Sequence, residues 1–92
     1  MDLQELREKI DHIDDQVLDL FVRRMEVSKA IGQYKRLNNL PIVDAERERE
    51  HLIKLAKKVE PEFRSGAMLL FSTVMDISKS VQYGEATDDA LT

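Results

Sequence analysis

The first third of the chain repeats its apolar residues at alternating spacings of three and four: Leu3, Leu6, Ile10, Ile13, Val17, Leu20, then Val27, Ile31 and Tyr34. That rhythm is the buried stripe of an α-helix, because 3.6 residues complete a turn. It continues without a proline from about residue 3 to 37, and Asn38, Asn39 and Pro41 mark the break. The length decides the architecture. About 35 residues at about 1.5 Å each span roughly 52 Å, whereas a compact chain of this size is roughly 30 Å across. One short chain cannot cover both ends of such a helix. The sequence therefore predicts an all-α, three-helix chain with a very long first helix, forming an obligate homodimer in which the long helices pack against each other or against the partner's short helices. The alternative is a bent helix folded over its own core.

One slot of the stripe is occupied by the wrong residue type. Between Leu20 and Val27 the rhythm calls for an apolar side chain and finds Arg24. A guanidinium there is costly unless an anion meets it, because an unpaired buried charge loses hydration without compensation. Either the protein supplies that anion or a ligand does. The same anomaly recurs downstream. Ala45, Glu48, Leu52, Leu55 and Val59 follow the three-four rhythm with Glu48 in a core slot, and Phe71, Met75, Ser78 and Gln82 turn polar at their last two members. Core patterning broken at a few positions is how a functional site shows itself in sequence.

The remaining organisation is simple. A second helix is predicted from near Asp44, a good N-cap with Glu46 and Glu48 in the first turns, to a point before Pro61. A third is predicted from about Glu62 to Tyr83, with Gly84 as its stop. Residues 1–83 read as one domain, and 84–92 as a disordered acidic tail or a cut linker. The chain has no cysteine, which removes disulfides and thiolate metal sites, and its two histidines make no convincing metal site alone. Net charge is −4, which argues against nucleic acid or an anionic membrane as partner. Any acidic ligand must be held by a local cationic cluster. No segment has the apolar run of a signal peptide or a membrane span, so the expected location is cytoplasmic.

Lys35 lies eleven positions after Arg24, about three turns on, and returns to nearly the same side at an axial gap of about 16 Å. Arg7 is roughly 25 Å from Arg24 along the axis and points about 100° away. It cannot join Arg24 within one chain, but in an antiparallel dimer it can enter the partner's site. Asp44, Arg47 and Glu48 fall together on the second helix, and Ser78 and Gln82 are i and i+4 on the third. This set holds cations, one inward carboxylate, a hydroxyl and an amide, with no nucleophile–base pair. It suits binding of a small hydroxylated polyanion better than acyl transfer or covalent hydrolysis. Blander readings stand beside it. Arg24 and Glu48 can form an internal ion pair, Ser78 can bond back to its own helix, His12 and His51 read as ordinary surface or core positions, and Arg23, Arg36, Arg49 and Arg64 read as solvent-facing.

In order and spacing, LREKID at 6–11, the arginine pair at 23–24, IGQYK at 31–35, PIVDAERE at 41–48 and the Ser78/Gln82 pair resemble the all-helical chorismate mutases of the AroQ class. The resemblance covers residues 3 to 83. It implies an intertwined dimer with two sites and the rearrangement of chorismate to prephenate in phenylalanine and tyrosine synthesis, without cofactor or metal. At matching positions it implies that Arg24, and Arg7 from the other chain, hold the two carboxylates. Lys35 contacts a carboxylate and the ether oxygen, and Gln82 donates to that oxygen. Glu48, with the backbone near Asp44, takes the ring hydroxyl, and Ser78 and Arg47 complete the lining. Two rivals remain on the same scaffold: an isochorismate-pyruvate lyase, and a non-catalytic dimerisation or regulatory module.

Overall fold

A computed structural model describes residues 1–84; the expected tail lies outside the described residues apart from Gly84. The described residues form three α-helices and one short 3-10 turn: α1 (Leu3–Leu37), α2 (Ala45–Ala56), the 3-10 turn Pro61–Phe63 and α3 (Arg64–Tyr83). Helix α1 is one uninterrupted α-helix, and the longest dimension of the chain is 54 Å. The radius of gyration, 16.2 Å, exceeds the roughly 12 Å of a compact chain this long. The bent-helix alternative is therefore not the one adopted.

Local chemistry sets each boundary. Asp2 caps α1 by accepting the Glu5 backbone N–H at 2.9 Å, and Asp44 caps α2 by accepting that of Arg47 at 3.1 Å. Helix α1 ends where Asn39 adopts the left-handed conformation, φ 56°, and the Asn38 side chain donates to the Tyr34 carbonyl. Gly84 closes α3 at φ 79°, a conformation glycine takes without a Cβ penalty. Helix α2 stops at Ala56, before Pro61 as expected, but the sequence expectation differs from the structure at the start of α3: the stretch from Pro61 opens as a 3-10 turn, and α3 begins at Arg64. Arg64, exposed as expected, also ties this corner by donating to the Ala56 and Val59 carbonyls.

Helix α3 is the centre of the chain, with α1 packed on one side and α2 on the other, while α1 and α2 do not pack on each other. Only the C-terminal half of α1 reaches α3. There Gly32 allows close approach: a Cβ at that position would lie 2.6 Å from the Gln82 Cα. Ser28 and Ser78, both buried, meet across the same crossing with their hydroxyl oxygens 2.6 Å apart. Arg36 also donates to the Gln82 carbonyl, so it too does more than face solvent. By contrast, every residue from 1 to 20 is exposed. Among the apolar side chains of the described residues only Ala56 and Met75 are buried.

Candidate active site

The three helices enclose a cavity of about 420 Å³ at the C-terminal half of α1. Seven of the eight residues singled out in the sequence line it: Arg24 and Lys35 from α1, Asp44, Arg47 and Glu48 at the start of α2, and Ser78 and Gln82 from α3. The eighth, Arg7, stands on the free N-terminal half of α1 and is not among the lining residues. Arg24 is half-buried. Its guanidinium has no carboxylate within ion-pair distance among the described residues, so the internal Arg24–Glu48 bridge is not formed.

Glu48 instead meets Lys79 of α3, with Nζ 3.4 Å from Oε2. Lys79 is shared with Asp76 at 3.3 Å. Burial works against the Lys79 ammonium, but its hydrogen bonds to Asp76 and Glu48 and the Glu48 charge outweigh that and raise its pKa above the ordinary value. Lys79 reaches Glu48 from outside the cavity, on a neighbouring surface depression that Glu48 also lines. The Glu48 carboxylate thus forms part of the wall between the two.

Lys35 donates to the Ile42 carbonyl at 3.0 Å. That bond fastens the 38–43 connection across the end of α1 and holds the ammonium at the cavity floor. On α3, the Gln82 amide nitrogen lies 3.4 Å from the Ser78 hydroxyl. The Gln82 Oε1 is buried without a partner among the described residues. An orphaned buried amide oxygen is costly in a finished core, and it marks this end of the cavity as incomplete by itself.

Two polar lining residues were not foreseen. Ser28 lies one turn after Arg24 on the face towards α3. It escaped notice because a small polar residue leaves no mark in an apolar rhythm. His51, expected at the surface or in the core, also lines the cavity, one turn beyond Arg47 and Glu48 on α2. Burial and then the positive charges of Arg47 and Arg24 lower its pKa below the usual 6.5. Spacing from Glu48 (i+3) and Arg47 (i+4) was the signal that would have found it.

The cavity therefore offers three cations, a carboxylate fixed from behind, one amide and an imidazole, without a side chain activated as a nucleophile. A chain with these properties has identifiable relatives. The family model described as chorismate mutase type II matches residues 6–83. A chorismate mutase of Methanocaldococcus jannaschii is 31% identical over 83 residues, a match covering 87% of this chain and 83% of that protein. A bifunctional chorismate mutase/prephenate dehydratase of Aquifex aeolicus is 44% identical over 61 residues, covering 63% of this chain but 17% of that protein. The chain thus matches a small part of the longer, bifunctional relative. Among solved structures, a conserved hypothetical protein from Pyrococcus furiosus superimposes with a TM-score of 0.72 at 40% identity, covering 87% of this chain and 93% of that one.

Proposed function

The chain belongs to the chorismate mutase type II family, and from that premise we propose that it converts chorismate to prephenate as a homodimeric isomerase with two shared sites. The observation that carries this reading is the cavity lined jointly by Arg24, Lys35, Arg47, Glu48 and Gln82. Its cations suit a dicarboxylate, and a pericyclic rearrangement asks for no nucleophile.

In this reaction one carbon–oxygen bond of the substrate breaks as one carbon–carbon bond forms within the same molecule. The catalyst has two tasks: to hold a flexible dianion in its compact, chair-like conformer, and to stabilise negative charge developing on the ether oxygen. Arg24 and Arg47 take the first task by binding carboxylate, and Glu48 accepts a hydrogen bond from the ring hydroxyl near Asp44. Lys35 and Gln82 take the second by donating to the ether oxygen, with Ser78 beside them. Arg24 then meets in the substrate the anion that its place in the stripe demands.

The dimer is part of the proposal. The stripe residues of the free half of α1 are largely in water, with Leu3 61%, Ile10 57% and Leu20 57% exposed. Burying one such side chain is worth about 1.5–3 kcal/mol, so a second copy laid along α1 gains many times that. An antiparallel arrangement brings the partner's Arg7 to the cavity, where it supplies the second carboxylate clamp.

The test is purified, metal-free protein offered chorismate and, separately, isochorismate. Prephenate from chorismate supports the proposal. Pyruvate from isochorismate without prephenate from chorismate assigns the lyase reaction, and a folded dimer inert towards both leaves a regulatory module.

A further inference from the structure

His51 is a titratable group inside the cavity that the rearrangement does not use. It sits on α2, half-buried, one turn from Arg47 and Glu48. The groups around it on every side are mostly cationic. From α1 the cavity receives Arg24 and Lys35. Along α2, Arg47 lies one turn before His51, and Lys54 and Lys58 act on it from beyond. The acidic members of the wall are Asp44, occupied as the α2 cap, and Glu48, held by Lys79 of α3. What α3 itself presents to the cavity is uncharged: Met75, Ser78 and Gln82.

Among so many positive charges the cavity disfavours a further cation, and the His51 imidazole holds its proton less readily than a free one. A dicarboxylate entering the same space reverses that balance. It neutralises the cations that repel the imidazolium and places carboxylate oxygens against the ring. Resting on the proposed binding of a dianion here, we propose that His51 is a further ligand-contacting residue. Neutral in the empty cavity, it takes up a proton from the buffer as a dicarboxylate binds and adds an imidazolium to the cationic wall. The two events are linked reciprocally: whatever the ligand does to proton affinity, the proton does to ligand affinity. Dicarboxylate binding therefore strengthens as pH falls through the histidine range.

The experiment uses prephenate as the probe. It is itself a dicarboxylate and can be titrated without turnover to another product. Calorimetric titrations of the dimer near pH 6.5, in buffers of differing ionisation heat, report protons taken up on binding. In parallel, the His51 ring resonance is followed by NMR against pH with and without prephenate, with His12 on the free half of α1 as the internal reference. The expected result is net proton uptake and a His51 midpoint moved upward by ligand. Prephenate affinity should rise roughly threefold or more from pH 8 to pH 5.5, since a threefold change corresponds to about half a pKa unit. In His51→Gln, which keeps the volume and a donor, the uptake and that share of the pH dependence disappear while binding at pH 8 persists. No binding, binding without uptake, or a His51 midpoint indifferent to ligand overturns the inference. Turnover of chorismate with a silent His51 leaves the mutase reading standing and removes this one. A responsive His51 in a protein that does not convert chorismate does the reverse.

Discussion

Gly32→Ala tests how tightly the α1–α3 crossing fixes Gln82, the amide proposed to donate to the ether oxygen. The added Cβ would lie 2.6 Å from the Gln82 Cα, against an ordinary carbon–carbon contact of about 3.5–4.0 Å. The obstacle is backbone, which cannot swing aside like a flexible side chain. The two helices must therefore separate by about 1 Å at this point. Alanine gains about 1 kcal/mol of intrinsic helix preference over glycine, while forcing a methyl group into a filled contact costs about 1–3 kcal/mol. The net stability loss is modest, about 1 kcal/mol, because the first term offsets part of the second. Activity is more exposed. Gln82 rides on the displaced backbone, and a misplacement of 1 Å in a positioning group costs about a hundredfold in rate. We expect kcat on chorismate to fall by about 10² with a small loss in urea midpoint. The assay is steady-state turnover beside equilibrium unfolding of the same preparation. A variant with parental kcat would refute the argument that this contact sets the position of Gln82.

Other perturbations separate the remaining roles. Lys35→Ala removes a preorganised donor to the ether oxygen and should lower kcat by about 10² or more; steady-state activity within twofold of the parent would contradict that role. Lys79→Met releases Glu48 from behind. Because the pair is partly solvated, a few-fold rise in KM is expected, on the scale of about 0.2–1 kcal/mol, and KM against kcat is what should be measured. The free protein should lose stability as pH falls below 6.5 through the lowered folded-state value of His51. In that window the unfolded chain binds more protons than the folded one. Urea midpoints measured against pH should show this decline in the parent and less of it in His51→Gln.

Much of the fold was legible because α1 writes its length in apolar periodicity and its break in Asn38, Asn39 and Pro41, and α3 its stop in Gly84. The bounds Leu3–Leu37 agree with the expectation. The residues lining the cavity announced themselves as polar occupants of apolar slots, and Arg24, Glu48, Ser78 and Gln82 were found that way. What the rhythm could not show is which face of α1 meets its own chain. Val27 is 60% exposed although it lies on the stripe, whereas Ser28 and Gly32 make the buried contact with α3. Apolar periodicity marks the face with the most greasy area; close backbone approach is marked by small residues, which carry little hydropathy. The last residue of α2 carried no signal beyond the bound set by Pro61, because nothing in Lys57 or Lys58 forbids helix; Arg64 donates to the Ala56 carbonyl there. His51 was missed because one histidine on a charged helix is ordinary until the cavity beside it is known.

On the proposed function, Arg24 occupies its apolar slot to meet a dianion, in a site that two chains complete with the partner's Arg7. Arg7→Ala and Arg24→Ala proteins, each assayed alone and then mixed after subunit exchange, test it most directly. Each homodimer should be nearly inactive. Random exchange of equal amounts makes half the dimers mixed, each with one intact site of two, so the mixture should recover about a quarter of parental chorismate turnover. No recovery, with mixed dimers independently demonstrated, would contradict a site shared between chains.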